Sequence, residues 1–192
     1  MTTFVLATHN AHKVEELRRI LGERLGPHEL VGYDGPEPVE DGDTFEANAL
    51  IKARAAYAHT GLPSIADDSG ISVAALGGAP GIHSARYAGT RDDVDNYTLL
   101  LANLAGVTDR AADFVCVAAL VDGERELTVR GTWPGEVLEA PSGAHGFGYD
   151  PVFRPEGVAT SSAELTPEQK NAISHRSRAF GALVTELRAL YG

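Results

Sequence analysis

Residues 3–21, TFVLATHNAHKVEELRRIL, change their hydrophobic period halfway along, and that change decides the fold class. Thr3 to Ala7 is a short apolar run of strand formers that stops at the polar Thr8-His9-Asn10-Ala11-His12-Lys13. From Lys13 onward Val14, Leu17, Ile20 and Leu21 share one helical face, with Glu15, Glu16, Arg18 and Arg19 on the other. The segment therefore predicts a strand, a polar loop and a helix.

The same alternation continues outward. Gly22 and Gly26-Pro27 end the first helix, and His28 to Tyr33 predicts a second strand before the loop Asp34 to Asp43. Thr44 is an N-cap for a helix reaching about His59, whose Ala49, Ala53 and Ala56 suit close packing on a sheet. Pro63 to Ala66 reads as a short strand delivering Asp67-Asp68-Ser69-Gly70, where the glycine allows a sharp turn before a further strand, Ile71 to Ala74. Leu76 to Gly89 is a glycine-rich structured loop, and Asp92 to Leu104 is amphipathic and helical. Phe114 to Val121 and Glu126 to Trp133 form strands around the hairpin signal Asp122-Gly123. Pro151 makes Tyr149 to Phe153 an edge strand. Thr166-Pro167-Glu168-Gln169 combines an N-cap, proline at N1 and glutamine at N3, and Ser174 caps a last helical segment with Phe180, Leu183, Val184 and Leu187 facing the core. Strands interleaved with helices give an α/β fold, and the hairpin makes the sheet mixed.

A chain of 192 residues can bury a core without staples, so residues 1–192 are expected to form one domain, with room for two lobes. Hydrophobic residues at 43% and charged residues at 22% argue against both disorder and a membrane protein. No membrane partner is expected, and a start without the basic region and small-residue cleavage site of a signal peptide predicts a cytoplasmic protein. The net charge of −11 would repel a nucleic-acid backbone, which argues against polymeric nucleic acid and leaves a small anionic ligand with local donors and a cation. The single cysteine, Cys116, falls in a strand and reads as an inert buried thiol.

Four clusters carry chemistry. Thr8, Asn10 and Lys13 lie between a strand end and a helix start, where free N–H groups and the helix dipole favour an anion; an ordinary capped turn fits the same residues. Asp67 and Asp68 are adjacent carboxylates on a buried strand, and such charges are costly unless paired or holding a cation. Alternation along the strand sends them to opposite faces. Glu40 and Asp41, before the helix capped by Thr44, offer a second carboxylate, and oxygen ligands favour Mg²⁺ or Mn²⁺ over zinc. Gly146-Phe147-Gly148-Tyr149-Asp150 sets aromatic rings between glycines, able to stack on a base, and Lys170, Ser174, His175 and Arg176 gather donors near a helix junction.

In order, the strings LATHNAHKVEEL, EDGDTFEANALIKA, IADDSG, LGGAPGIHSARYAG, GFGYDPVF and LTPEQKNAISHR resemble the inosine triphosphate pyrophosphatase family, and they extend over almost all of Val5 to Arg176. The resemblance implies an elongated mixed sheet flanked by helices, two lobes around a central cleft, and a homodimer. It implies Mg²⁺-dependent hydrolysis of ITP, dITP and XTP to the monophosphate and pyrophosphate, which cleanses the nucleotide pool. The loop Thr8, His9, Asn10, Ala11, His12 and Lys13 would hold the triphosphate, with Asp68 as proton acceptor and, with Glu40, metal ligand. Ser69 would contact substrate, Phe147, Gly148, Tyr149 and Asp150 would pack against and read the base, and Lys170, His175 and Arg176 would contact base and phosphates.

Two positions depart from the family: His9 replaces a usual small residue, and Ala47 replaces the second glutamate of TFEENA. Ala47 falls at N3 of the helix capped by Thr44, where a glutamate would complete a capping box or support the metal. Two other activities fit these residues: a pyrophosphatase for pyrimidine or modified-base triphosphates, and a nucleotide-binding sensor that has lost hydrolysis.

Overall fold

The computed structural model describes residues 1–192, with the side chain of Glu23 outside that description. Six strands, β1 (Thr3–Leu6), β2 (Glu29–Gly32), β3 (Ser64–Val73), β4 (Ala111–Val121), β5 (Glu126–Val137) and β6 (Phe153–Pro155), form one sheet in the order β2-β1-β3-β4-β5-β6. β1 runs parallel to β2 and to β3, while β5 and β6 are antiparallel, so the sheet is mixed. Five helices accompany it: α1 (Ala11–Leu21), α2 (Phe45–Thr60), α3 (Asp93–Asn103), α4 (Pro167–Ile173) and α5 (His175–Tyr191). Among the described residues, no helix is long and apolar enough to cross a membrane.

Local signals account for the helix ends. Asn10 caps α1 by accepting from the Lys13 amide, Thr44 caps α2 through the Ala47 amide, and left-handed Gly61 closes α2. Ala47 is thus at N3 of α2. α4 opens with the capping box expected of Thr166 and Gln169, with Pro167 at its first position. β4 and β5 are neighbours joined by residues 122–125, as Asp122-Gly123 predicts.

Two expectations fail. Asp67-Asp68-Ser69-Gly70 makes no turn, because β3 runs unbroken through it. Cationic partners make the buried aspartates tolerable within a strand, and Gly70 serves close packing instead: a Cβ there would lie 2.3 Å from the Gly81 carbonyl oxygen and 2.4 Å from Ser84 Oγ. The edge strand also begins later than expected. Asp150–Val152 is a single 3₁₀ turn, which suits the fixed φ of Pro151, and the strand is Phe153–Pro155.

The chain divides into two compact units, with Met1–Asp68, Cys116–Gly131 and Arg176–Gly192 in the first and Ser69–Val115 and Thr132–His175 in the second. In the first unit, Leu17 and Leu21 of α1 and Phe180, Leu183 and Leu187 of α5 pack with Phe4, Leu6, Ile65 and Leu120 of the sheet. The core of the second joins Leu100 of α3 to Ile71, Phe114, Trp133 and Phe153. Each unit fills its own interior, at roughly 1.5–3 kcal/mol for each large apolar side chain buried.

Candidate active site

The first unit places the acidic pair at the end of its share of β3. Asp67, 2% exposed, accepts from Lys13 Nζ at 3.0 Å, and Arg176 Nη2 stands 3.7 Å from the same Oδ2. Cys116 Sγ approaches that oxygen at 3.8 Å. Arg176 is also bound to Glu16, so this guanidinium is buried between two carboxylates. Asp68 takes different partners. Its Oδ1 lies 3.3 Å from Lys52 Nζ, which also donates to Glu40 Oε2 at 3.0 Å, and its buried Oδ2 has no hydrogen-bond partner.

The two neighbouring carboxyls are driven apart in acidity. Burial pushes Asp67 up, but Lys13, then Arg176 and Lys52, outweigh it and hold the group well below the usual carboxylate range. Burial also pushes Asp68 up; Lys52 and Lys13 oppose this, Glu40 and Asp67 reinforce it, and the net shift is upward. Environments that separate two titratable neighbours assign them different roles. Asp67 is held as an anion among cations, and Asp68 is the more easily protonated of the two. Burial and the charge of Asp67 push the Cys116 thiol up, which keeps it protonated and unreactive.

The loop before α1 lies in the same unit. Thr8 Oγ1 accepts from the Asn10 amide at 3.2 Å, so Thr8 and Asn10 shape the turn and the helix cap. Ala11 and His12 are exposed in the first turn of α1, and His9 Nδ1 pairs with Glu37 at 3.2 Å.

The second unit builds a different cluster around Asp150. Its Oδ1 accepts from Ser162 Oγ at 2.8 Å, and its Oδ2 accepts from Lys170 Nζ at 2.7 Å and the Phe147 amide at 2.9 Å. Gly146 is required here, since its φ is +75° and a Cβ would sit 2.1 Å from Asp150 Oδ2. Lys170 Nζ lies 5.1 Å from the centre of the half-buried Phe147 ring. Tyr149 is a core residue whose hydroxyl donates to the Ser84 carbonyl at 2.7 Å. His175 is buried, stacked on Phe114 at 4.8 Å and 15° and on Trp133 at 6.1 Å and 18°. Ser69 is half-buried on β3.

Of the residues singled out by sequence, Lys13 and Arg176 meet on Asp67 and Glu40 and Asp68 meet on Lys52, all in the first unit, and Phe147, Asp150 and Lys170 form one cluster in the second. His175 and Arg176, adjacent in sequence, belong to different units. Lys52 was missed. A lysine three residues after Ala49 and next to Ala53, on the small-residue side of α2, was the available signal.

A model of the Ham1 family matches residues 4–186. The chain belongs to the Ham1 family. It is 57% identical over 194 residues to a dITP/XTP pyrophosphatase of Leifsonia xyli, covering 99% of this chain and 98% of that one. A dITP/XTP pyrophosphatase of Streptomyces coelicolor is 52% identical, with both chains covered in full. Among solved structures, a HAM1 protein from Coxiella burnetii superposes with a TM-score of 0.90 at 41% identity, covering 98% of this chain and 100% of that chain. The mixed sheet flanked by helices is thus the fold of this family, and the pyrophosphatase resemblance rests on the whole chain as well as its motifs.

Proposed function

We propose that this chain is a nucleoside-triphosphate pyrophosphatase that hydrolyses ITP, dITP and XTP to the monophosphate and pyrophosphate. The observation that carries the reading is the opposed pair on β3, an Asp67 of lowered pKa beside an Asp68 of raised pKa, with Lys13 on the first and Lys52 bridging the second to Glu40. The names of full-length relatives point to the same substrates.

The donors suit a hard divalent ion. Glu40 and Asp68 converge on one ammonium, and the partnerless Asp68 Oδ2 is a buried oxygen that a cation would satisfy. Among the described residues no group of three or more His, Cys, Asp or Glu side chains forms a cage, which fits Mg²⁺ held by one or two carboxylates together with water and substrate phosphates, with Mn²⁺ as substitute. When bound, such an ion polarises the phosphoryl oxygens and shares the charge of the departing pyrophosphate.

The chain's own residues do the rest. Asp68 accepts the proton of the water whose oxygen attacks the α-phosphorus, as the bond from that phosphorus to the bridging oxygen breaks. Lys13 and the positive end of the α1 helix dipole take the triphosphate charge. Arg176, closed in by Glu16 and Asp67, acts by orienting Asp67. On the base, Phe147 supplies the stacking face and Lys170 a donor for the 6-oxo group; the adenine 6-amino group would set donor against donor. The working unit is a cytoplasmic homodimer.

The test is pyrophosphate release from ITP, XTP, GTP, ATP and pyrimidine triphosphates with Mg²⁺. ITP and XTP should lead, and orthophosphate as first product would end the proposal.

A further inference from the structure

Three aspartates crowd the start of α3, and each does something different. Asp92 caps the helix by accepting from the Asp95 amide at 3.0 Å, and Asp95 accepts from Thr90 Oγ1 at 2.9 Å. Asp93 Oδ2 leaves its own element and accepts from the Gly148 amide at 2.7 Å, 55 residues away. That distance is short for an N–H···O bond, as expected of a charged acceptor.

The recipient is the loop that carries Phe147. Gly146 at φ +75° and Gly148 at φ +62° flank this residue, so the backbone on either side has little preference of its own. The orientation of the ring must come from its neighbours. Lys170 lies over the ring, and two consecutive amides tie down its backbone, Phe147 N to Asp150 and Gly148 N to Asp93. Asp150 is buried and also holds Ser162 and Lys170, whereas Asp93 is exposed at the helix start.

We infer that Asp93 is a positioning residue for base recognition, fixing the Gly148 amide and through it the Phe147 ring. The inference rests on the reading of Phe147 as the stacking face. A purely helical role predicts something else: an acid in the first turn of α3 would affect helix stability alone, without regard to the base.

Asp93→Ala and Asp93→Asn separate the two. The measurements are KM and kcat for ITP and ATP, and the inhibition constant of inorganic tripolyphosphate, which has the phosphates without a base. Loss of a charged hydrogen bond should raise KM for ITP about ten-fold in Asp93→Ala and narrow the preference over ATP, with kcat nearly unchanged. Tripolyphosphate inhibition should stay at the wild-type level, and Asp93→Asn, which keeps an acceptor oxygen, should recover most of the affinity. An unchanged KM, a tripolyphosphate constant that rises in step with KM, or an asparagine variant no better than alanine overturns the inference. A wild-type protein inert toward ITP would instead strike the underlying function, and that is seen before any variant is made.

Discussion

Asp68 in the first unit and Asp150 in the second are both buried beside a lysine ammonium, yet their carboxylates are satisfied to different degrees. Asp150 accepts from a hydroxyl, an amide and Lys170, so both oxygens are engaged. Asp68 has Lys52 on one oxygen and no hydrogen-bond partner on the other, and its pKa is raised. A buried carboxylate with all its bonds made is a fixed part of the framework. One left short is costly to keep, and a site that binds a cation or moves a proton is where such a cost is retained. The contrast teaches that burial and a lysine neighbour do not by themselves set a carboxyl's character; Asp68 combines an unfilled acceptor with a raised pKa.

The sharpest way to break that contrast is Asp68→Asn. It should lower kcat for ITP by about 10²–10⁴-fold, the range for losing a general base, with the thermal midpoint near wild type. An undiminished variant would remove the distinction between the two acids.

Asp67→Asn tests the other half of the acidic pair. It leaves Lys13 and Arg176 facing a neutral group, and breaking such a buried network should cost roughly 3–5 kcal/mol in chemical denaturation at neutral pH. The folded pKa of Asp67 is depressed, so its stabilisation is complete above the unfolded value and is lost as pH falls through the folded one. The gap between wild type and variant should therefore narrow below about pH 4; a gap that widened on acidification would refute the assignment of Asp67 as the fixed anion.

Asp150→Asn should act on framework rather than chemistry. An amide in place of one oxygen meets the donors Lys170 and Phe147 N, at roughly 1–3 kcal/mol of stability. KM for ITP should rise more than kcat falls, and a collapse of kcat with KM intact would make Asp150 a second reactive acid.

The smallest effect is expected of Ala47→Glu. The Ala47 amide already donates to Thr44, so a glutamate adds only the return bond of a capping box, worth about 1 kcal/mol or less. The Mg²⁺ concentration for half-maximal activity should not move; a marked drop would show that position 47 supports the metal.

How far the sequence could be read depended on the range of each interaction. The strand, loop and helix of residues 3–21, the hairpin at Asp122-Gly123 and the capping box at Thr166 were legible because their causes lie within a few residues. The turn expected at Asp67–Gly70 failed on the same logic, since two acids and a glycine are turn-like locally, and only distant cations and the approach of Gly81 and Ser84 make a strand of them.

By itself, then, the sequence determined the α/β class, the ends of most elements, the acidic strand and the family to which the chain belongs. Tertiary structure alone decided that Lys52 joins Glu40 to Asp68, that Arg176 is enclosed by Glu16 across 160 positions while His175 stacks on Phe114, and that Asp93 reaches Gly148. The physical reason is that hydrophobic period and capping are set by near neighbours, whereas the partner of a buried charge is chosen by which distant side chains the packed core brings within a few ångströms.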